Sequence, residues 1–317
     1  MRYSIKKIGT MLLTMAIVSF LTFIAFSLLA GDAAEIILGT EATPERLAAL
    51  RADLGLDKPL LVRYGHWVLD FLAGDMGTSY QYNLSVSQLV GERLGPTLTL
   101  TAIAFVIIVA VSVPLGVATA KYAGGRLDRV ITVVNQVVMS VPPFFTGILF
   151  TYIFGLVLQF FIAGTFPIGG SAWDYISYLF FPALAVALPR IAMTVRLLRG
   201  CILQEAKKDY VRTSMSRGRS RGDILYRHVL KNTLVPLITY LAMTVADLFA
   251  GSVIIEQVFS VPGIGRLLLT SIFNRDYPVA EAIVVILAFW VVLCNLLGDL
   301  LSRRIDPRLE SGEGGGV

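Results

Sequence analysis

"QEAKKDYVRTSMSRGRSRGDILYRHVLKN", residues 204–232, is a strongly basic block set between two apolar stretches. It carries Lys207, Lys208, Arg212, Arg217, Arg219, Arg221, Arg227 and Lys231. The stretches on either side, 176–198 and 234–255, are long and apolar enough to cross a bilayer. Which side of a membrane the block occupies, and whether charge alone accounts for it, decides the topology of the whole chain.

Composition puts the chain in a membrane. Of 317 residues, 56% are hydrophobic and 15% charged, and the mean hydropathy is +0.73, far from a soluble domain with roughly 25% charge. The net charge of +5 reads as basic residues gathered in cytoplasmic loops, not as a nucleic-acid surface. Cys201 and Cys294 stand far apart beside apolar segments and read as packing residues, and His66 and His228 have no metal-ligand spacing.

Working outward from the block, apolar runs predict six transmembrane helices, near 8–30, 98–120, 130–162, 176–198, 234–255 and 279–301. Arg2, Lys6 and Lys7 precede the first, as in a secretory leader. Its apolar run, however, exceeds the roughly 7–15 residues of a leader's core and no clear A-x-A site follows, so it reads as a membrane helix. The third is interrupted by "SVPPFFTG", residues 140–147, where Pro142 and Pro143 break helical hydrogen bonding. Counted as one bent span, it places the N-terminus, the loop with Lys121, Arg126 and Arg129, the block at 204–232, and the tail with Arg303, Arg304 and Arg308 on one side, the cytoplasm. Counted as two, it would split these basic segments between the two sides.

The outer regions are then 31–96, 163–175 and 256–278. The first is acidic (Asp32, Glu35, Glu41, Glu45, Asp53, Asp57, Asp70, Asp75) and contains the turn-like "GDMGTS". In "TPERLAALRADLG", residues 43–55, Thr43 is an N-cap and Pro44 the first residue of a short helix. This is a small folded ectodomain.

Back in the basic block, a solvated positive-inside loop accounts for the charge. The pattern adds more: Ile202, Ala206, Tyr210 and Thr213 fall on one helical stripe with Lys207, Lys208 and Arg212 off it. The helix stops near Gly218, "GRSRG" makes a turn, and a second helix starts at Asp223 as cap. Tyr210 and Met215 are then available to insert into a docking partner; lying on anionic headgroups is the alternative.

"DYVRTSMSRG" followed by "RHVLKNTLVP" resembles the cytoplasmic loop of ATP-binding-cassette importer permeases of the dipeptide, oligopeptide and nickel family. Motifs along nearly the whole chain resemble it too: "LGLDKPLLVRYGHW", "GDMGTSY", "GPTLTLT", "SVPPFFTG", "GSVIIEQVFSVPGIG", "NRDYPV" and "NLLGDLLSRRIDPRL". Departures are Ser214 and Met215, where an Ala and a basic residue are usual, and "GDAA" for Gly-Asp-Pro. The resemblance implies an all-α integral membrane protein of the type I ABC importer permease fold. Its parts would be an N-terminal helix (1–30), an ectodomain (31–96), a five-helix permease core (97–302) with a coupling loop at about 201–232, and a cytoplasmic tail (303–317).

It also implies that residues around 204–218 form a coupling helix seated in a separate ATPase subunit, with Glu205, Asp209, Tyr210, Arg212, Thr213 and Gly218 at that junction. Independently, the chain lacks a G-x-x-x-x-G-K-[ST] phosphate loop. No cofactor is expected in this chain, and ATP and Mg would be bound by the partners. Those partners are two ABC ATPases, a second homologous permease and an extracytoplasmic substrate-binding protein, in a bacterial inner membrane, with no nucleic acid. The cargo would be small peptides, nickel or metal chelates, moved inward by alternating access, or another small cationic solute.

Asp247 falls near the middle of the fifth span, where a carboxylate costs roughly 2.5–3.5 kcal/mol on insertion scales. It is expected to face a wet path and attract a cation, a metal chelate or a peptide amine, or else to bond Thr244 or a partner subunit. By the resemblance, an acid here and "FNRDYPV" are features of nickel members. Arg190 and Arg196 read as snorkelling toward the cytoplasmic end of the fourth span. Glu256, Pro262, Gly263 and Gly265 lie in the outer loop after the fifth span and either close a tight turn or act as a gate. A secondary transporter would show paired intramembrane charges or interrupted helices repeated in two halves, and no such repeat is found. A membrane enzyme would show HExxH, a G-x-S-x-G elbow or a histidine-carboxylate cluster, none of which is present.

Overall fold

The computed structural model describes residues 2–30, 33–38, 42–53, 55–161, 164–167 and 169–305. Asp32, Glu41, Gly31 of "GDAA" and tail residues 306–317 lie outside the described residues. The described residues are mostly helical: α1 (Arg2–Ala30), α2 (Ala33–Leu38), α3 (Pro44–Asp53), α4 (Leu60–Leu72), α5 (Val86–Lys121), α6 (Arg126–Ser140), α7 (Pro143–Phe150), α8 (Ala172–Glu205), α9 (Asp209–Ser216), α10 (Arg221–Ile224), α11 (Leu230–Val258), α12 (Ile264–Phe273) and α13 (Tyr277–Ile305). Among the described residues, extended pairing is confined to a Thr78–Ser85 bridge. Wider π-type turns at Thr151–Val157 and Leu225–Val229 continue α7 and lead into α11.

Among the described residues, five helices are long and apolar enough to cross a membrane, and the pair formed by Arg126–Ser140 and Pro143–Val157, bent by 97°, makes a sixth if counted as one broken span. The break falls at Val141 and Pro142, where Pro142 and Pro143 each lack an N–H. The break read from the sequence at Pro142 and Pro143 is therefore observed, with its two arms bent by 97°.

The chain divides into two compact units, one of residues 1–97 and 262–292, the other of 98–261 and 293–317. In the first, α1 is stapled to α4: Ser19 and Tyr64 share a 2.8 Å hydroxyl contact, and Phe23 packs near Tyr64 and Trp67. As expected, Thr43 caps α3, accepting from the Arg46 N–H at 3.3 Å. A second cluster joins Val86, Leu89 and Val90 of α5 to Ile264, Leu267 and Leu268 of α12 and to Val279 and Ile283 of α13.

This cluster explains why α5 begins at Val86, well before the apolar run at Leu98. Its first turns carry Ser87, Gln88, Glu92 and Arg93, which hydropathy reads as loop, while Val86, Leu89 and Val90 bury one face. The "GDMGTSY" and "NRDYPV" motifs meet here. Asp276, fully buried, accepts from the Ser79 hydroxyl and, at 3.0 Å, from the Tyr80 N–H. Burial, then the Glu281 and Asp276 carboxylates, push the Tyr80 phenol up to about 12.

The core of the second unit is the pairing of α8 with α11, joined by α6, α7 and part of α5. Leu179, Leu198, Ile202, Leu248 and Ile255 are fully buried in it. Small residues allow close approach: a β-carbon on Gly116 would lie 2.9 Å from Leu198 Cδ2, and one on Gly298 only 2.7 Å from Ala242 Cβ.

Candidate functional site

The basic block folds as a short helix held across the ends of two long ones. α8 stops at Glu205, the chain turns at 206–208, and α9 starts afresh at Asp209. The uninterrupted helical stripe expected from Ile202 to Thr213 is thus broken in the middle, and the candidate docking helix is 209–216. Its end is a Schellman turn: the Arg219 N–H bonds the Ser214 carbonyl at 3.3 Å and the Gly218 N–H the Met215 carbonyl at 2.9 Å, with Gly218 at φ +81. The predicted stop at Gly218 therefore holds. The next helix is capped by Ser220, whose hydroxyl accepts from the Asp223 N–H at 3.2 Å. Asp223, expected as the cap, instead pairs with Arg227 at 2.9 Å.

Glu205 organises this loop. Nearly buried at 9% exposure, it accepts from the Tyr210 hydroxyl at 3.0 Å and from Asn232 Nδ2 at 2.9 Å, and pairs with Lys208 at 2.7 Å. Asn232 also donates to the Tyr210 oxygen at 3.2 Å. One carboxylate thereby ties the end of α8, the start of α9 and the start of α11. Burial, then the Glu205 carboxylate, raise the Tyr210 phenol above its ordinary value, which keeps it a neutral donor.

Tyr210 is consequently turned inward, a correction to its expected role as an inserting residue, and Val211 beside it is buried. The outward face of α9 carries Asp209, Arg212, Thr213, Met215 and Ser216, all exposed. Of the residues assigned to the junction, Asp209, Arg212 and Thr213 are on that face, Glu205 and Tyr210 hold it from behind, and Gly218 ends it.

A second anchor was not legible in the sequence. Arg199, less than two turns before Glu205 on α8, grips Asp128 of α6 through Nε–Oδ1 and Nη2–Oδ2 bonds of 2.7 and 2.8 Å. Asp128 Oδ2 also accepts from the Gly124 N–H at 2.8 Å. Lys121 Nζ lies 5.9 Å from the centroid of the Tyr226 ring. The 121–129 loop and the basic block thus share one end of this unit, as the single-bent-span topology requires.

Farther along the same two helices, Asp247 of α11 pairs with Arg190 of α8 at 2.8 Å, with side-chain exposures of 51% and 29%. This corrects the reading of Arg190 as a snorkelling residue at the cytoplasmic end: it lies midway along α8 and has an intramembrane acid as partner. Thr244 is not that partner, since its hydroxyl donates to the Tyr240 carbonyl at 2.9 Å. Around the pair runs an unpacked face. Tyr240, Met243, Asp247, Gly251, Ile254 and Gln257 follow one another at helical spacing on α11. On α8, Arg190, Met193, Leu197, Gly200 and Gln204 do the same. Along the α8 face, with Tyr240 of α11 at its side, lies an open groove of 450 Å³ whose lining includes Met193, Arg196 and Gln204. The Tyr240 hydroxyl is buried without a hydrogen-bond partner. A face with this many charged and polar groups does not suit hydrocarbon.

The outer residues are divided between the two units. Glu256 is fully buried, receives the Ser252 hydroxyl at 3.3 Å, and its carbonyl accepts from the Val261 N–H at 2.9 Å. Tyr178 of α8 donates to the Phe259 carbonyl at 2.7 Å, fastening this end of α11. Pro262, Gly263 and Gly265 belong to the first unit. Gly263 caps α12 without a side chain, and Thr97 supplies the missing acceptor to the Ile264 N–H at 2.9 Å.

Comparison with known proteins decides the family. Residues 112–311 match the binding-protein-dependent transport system inner membrane component, and residues 1–101 match its N-terminal companion. This chain belongs to that family. It is therefore a multi-pass inner-membrane transport subunit, the membrane component of a binding-protein-dependent system.

Relatives of this permease include the probable peptide ABC transporter permease protein y4tP of Sinorhizobium fredii, 35% identical over 308 residues, 97% of this chain and 98% of the relative. The glutathione transport system permease protein GsiC of Salmonella typhi is 33% identical over 310 residues, 98% and 99% of the two chains. The dipeptide transport system permease protein DppB of Alkalihalophilus pseudofirmus is 30% identical over 332 residues, 97% and 99%. Among solved structures, a chain of the inward-facing MetNI methionine ABC transporter superposes with a TM-score of 0.55 at 18% identity, covering 69% of this chain and 96% of that one. The fold is that of a type I ABC importer permease.

Proposed function

We propose that this permease carries small peptides inward, driven by ATP hydrolysis on two partner subunits that bind ATP and Mg, with a second homologous permease completing the path. A binding protein outside delivers the cargo, and both termini of the chain are cytoplasmic. The observation that carries this reading is the Glu205 junction: an exposed helix, α9, is bonded through one carboxylate to the ends of α8 and α11. Pushing α9 moves both helices, and these bear the polar face with Asp247. An ATPase groove that holds Asp209, Arg212, Thr213 and Met215, and closes when ATP binds, would tilt α8 and α11 and switch the side on which that face is open. Glu256 and the 260–265 turn would bound the path outside.

Peptide is preferred over nickel or a metal chelate for two reasons. The relatives' names speak of peptides and glutathione, and Asp247 faces Arg190 rather than standing as a lone acid for a cation. The test is uptake of a labelled dipeptide by proteoliposomes holding the whole importer and its binding protein. Uptake that needs internal-face ATP supports the reading. Uptake driven by a proton gradient without ATP overturns the mechanism, and transport of nickel but not dipeptide overturns the cargo.

A further inference from the structure

We infer that the Arg190–Asp247 pair is a recognition element for the two charged ends of a free peptide, opened by the cargo and closed behind it. The inference rests on the reading that peptides are the cargo. In the structure the pair is closed at 2.8 Å, yet Asp247 is half exposed and Arg190 about a third. Such a pair is reachable from the face on which it sits.

Three features of that face point to a zwitterion. The charges are opposite and one of each, so a ligand carrying one ammonium and one carboxylate can replace both halves of the pair without leaving a charge unmatched. Arg190 offers a planar fork suited to a carboxylate, and Asp247 accepts from an ammonium. Tyr240, two helical turns before Asp247, lines the 450 Å³ groove, and its hydroxyl, shielded from solvent and without a partner here, becomes available to a peptide amide once the two helices part. Fully extended, a dipeptide spans about 7 Å, a separation that two side chains on neighbouring helices can bridge once they part. With no cargo, the closed pair leaves no net charge in the path, and a lone cation or anion meets a repelling as well as an attracting partner.

The experiment uses the complete importer in nanodiscs, with Met243→Cys as reporter in a Cys201→Ser background. Met243 lies on the same face and is 47% exposed. The rate of maleimide labelling is read with dialanine, N-acetyl-dialanine and dialanine amide, without binding protein. At about ten times its dissociation constant, free dialanine should slow labelling about tenfold, and the blocked peptides should not. Asp247→Asn should abolish discrimination against the acetylated form, and Arg190→Gln discrimination against the amide. Equal protection by free and blocked peptides, or discrimination that survives both substitutions, overturns the inference. So does loss of the second permease from the purified Asp247→Asn complex, which would make the pair a subunit contact. If no peptide protects while the same importer in proteoliposomes with its binding protein takes up dialanine, this site is wrong and the peptide reading stands; if dialanine is not taken up there at all, the peptide reading falls and the site with it.

Discussion

Arg199 holds Asp128 through two parallel hydrogen bonds of 2.7 and 2.8 Å, joining the first turn of α6 to α8 close to the turn at 206–208. Asp128 is 6% exposed and Arg199 33%, so Asp128→Asn strands a mostly buried guanidinium while Arg199→Ala strands a buried carboxylate. With a discount for the partly exposed arginine, each should cost about 1–3 kcal/mol. Thermal unfolding in detergent measures this, and Arg199→Lys, which keeps the charge but loses the fork, should fall between the wild type and Arg199→Ala.

Removing the Glu205 carboxylate deletes its bonds to α9 and α11 at one stroke and leaves the Asn232–Tyr210 bond to tie those two helices. Glu205→Ala should leave ATP hydrolysis by the assembled importer within about twofold of normal while uptake falls about tenfold or more, as expected when a mechanical junction carrying three charge-assisted bonds is lost. Tyr210→Phe deletes only the hydroxyl and should cost about 1 kcal/mol of stability, with a smaller loss of uptake. Parallel losses of hydrolysis and uptake in Glu205→Ala would show that the residue is needed for assembly instead.

Gly218 is a cleaner probe, because a β-carbon there meets nothing within 4 Å and only its φ of +81 resists a side chain. Gly218→Val should cost about 1–3 kcal/mol locally, twist α9 off its course and uncouple hydrolysis from uptake. The amount of protein in the membrane should stay the same, as measured by quantitative blotting.

Packing makes a prediction away from the coupling loop. Gly298→Ala drives a methyl to 2.7 Å from Ala242 Cβ and should destabilise by about 1–3 kcal/mol. Adding Ala242→Gly should recover most of the loss, and the double-mutant cycle measures the coupling.

Tyr80 predicts an alkaline limit. Its folded value of about 12 stands above the ordinary 10.0, so the stability it contributes is complete below pH 10 and disappears as pH rises toward 12. Tyr80→Phe should flatten the fall in melting temperature between those limits relative to wild type, once lysine titration common to both is subtracted.

What could be read from the chain divides along physical lines. The spans, the break at Pro142 and Pro143, the Thr43 cap and the stop at Gly218 each depend on a few adjacent residues, and all are visible in the linear pattern. Where α5 begins was missed because Glu92 and Arg93 mask the buried stripe of Val86, Leu89 and Val90. Arg199–Asp128 and Arg190–Asp247 join residues far apart in sequence, and nothing local tells a snorkelling arginine from one that reaches an acid on the next helix. Tyr210 could be placed on a helix but not aimed, since the turn at 206–208 rotates α9 and delivers its ring to Glu205 instead of a neighbour. The acid at 247 was visible; its cation was read as belonging to the membrane surface.

The run from Arg221 to Val258 is a single helical rod of 38 residues, about 57 Å long against a hydrocarbon layer of roughly 30 Å. Pivoting such a rod by about 10° carries its far tip about 10 Å. Under the mechanism proposed above, geometry alone would supply mechanical gain, turning a slight nudge near its foot into an opening wide enough to admit a small molecule.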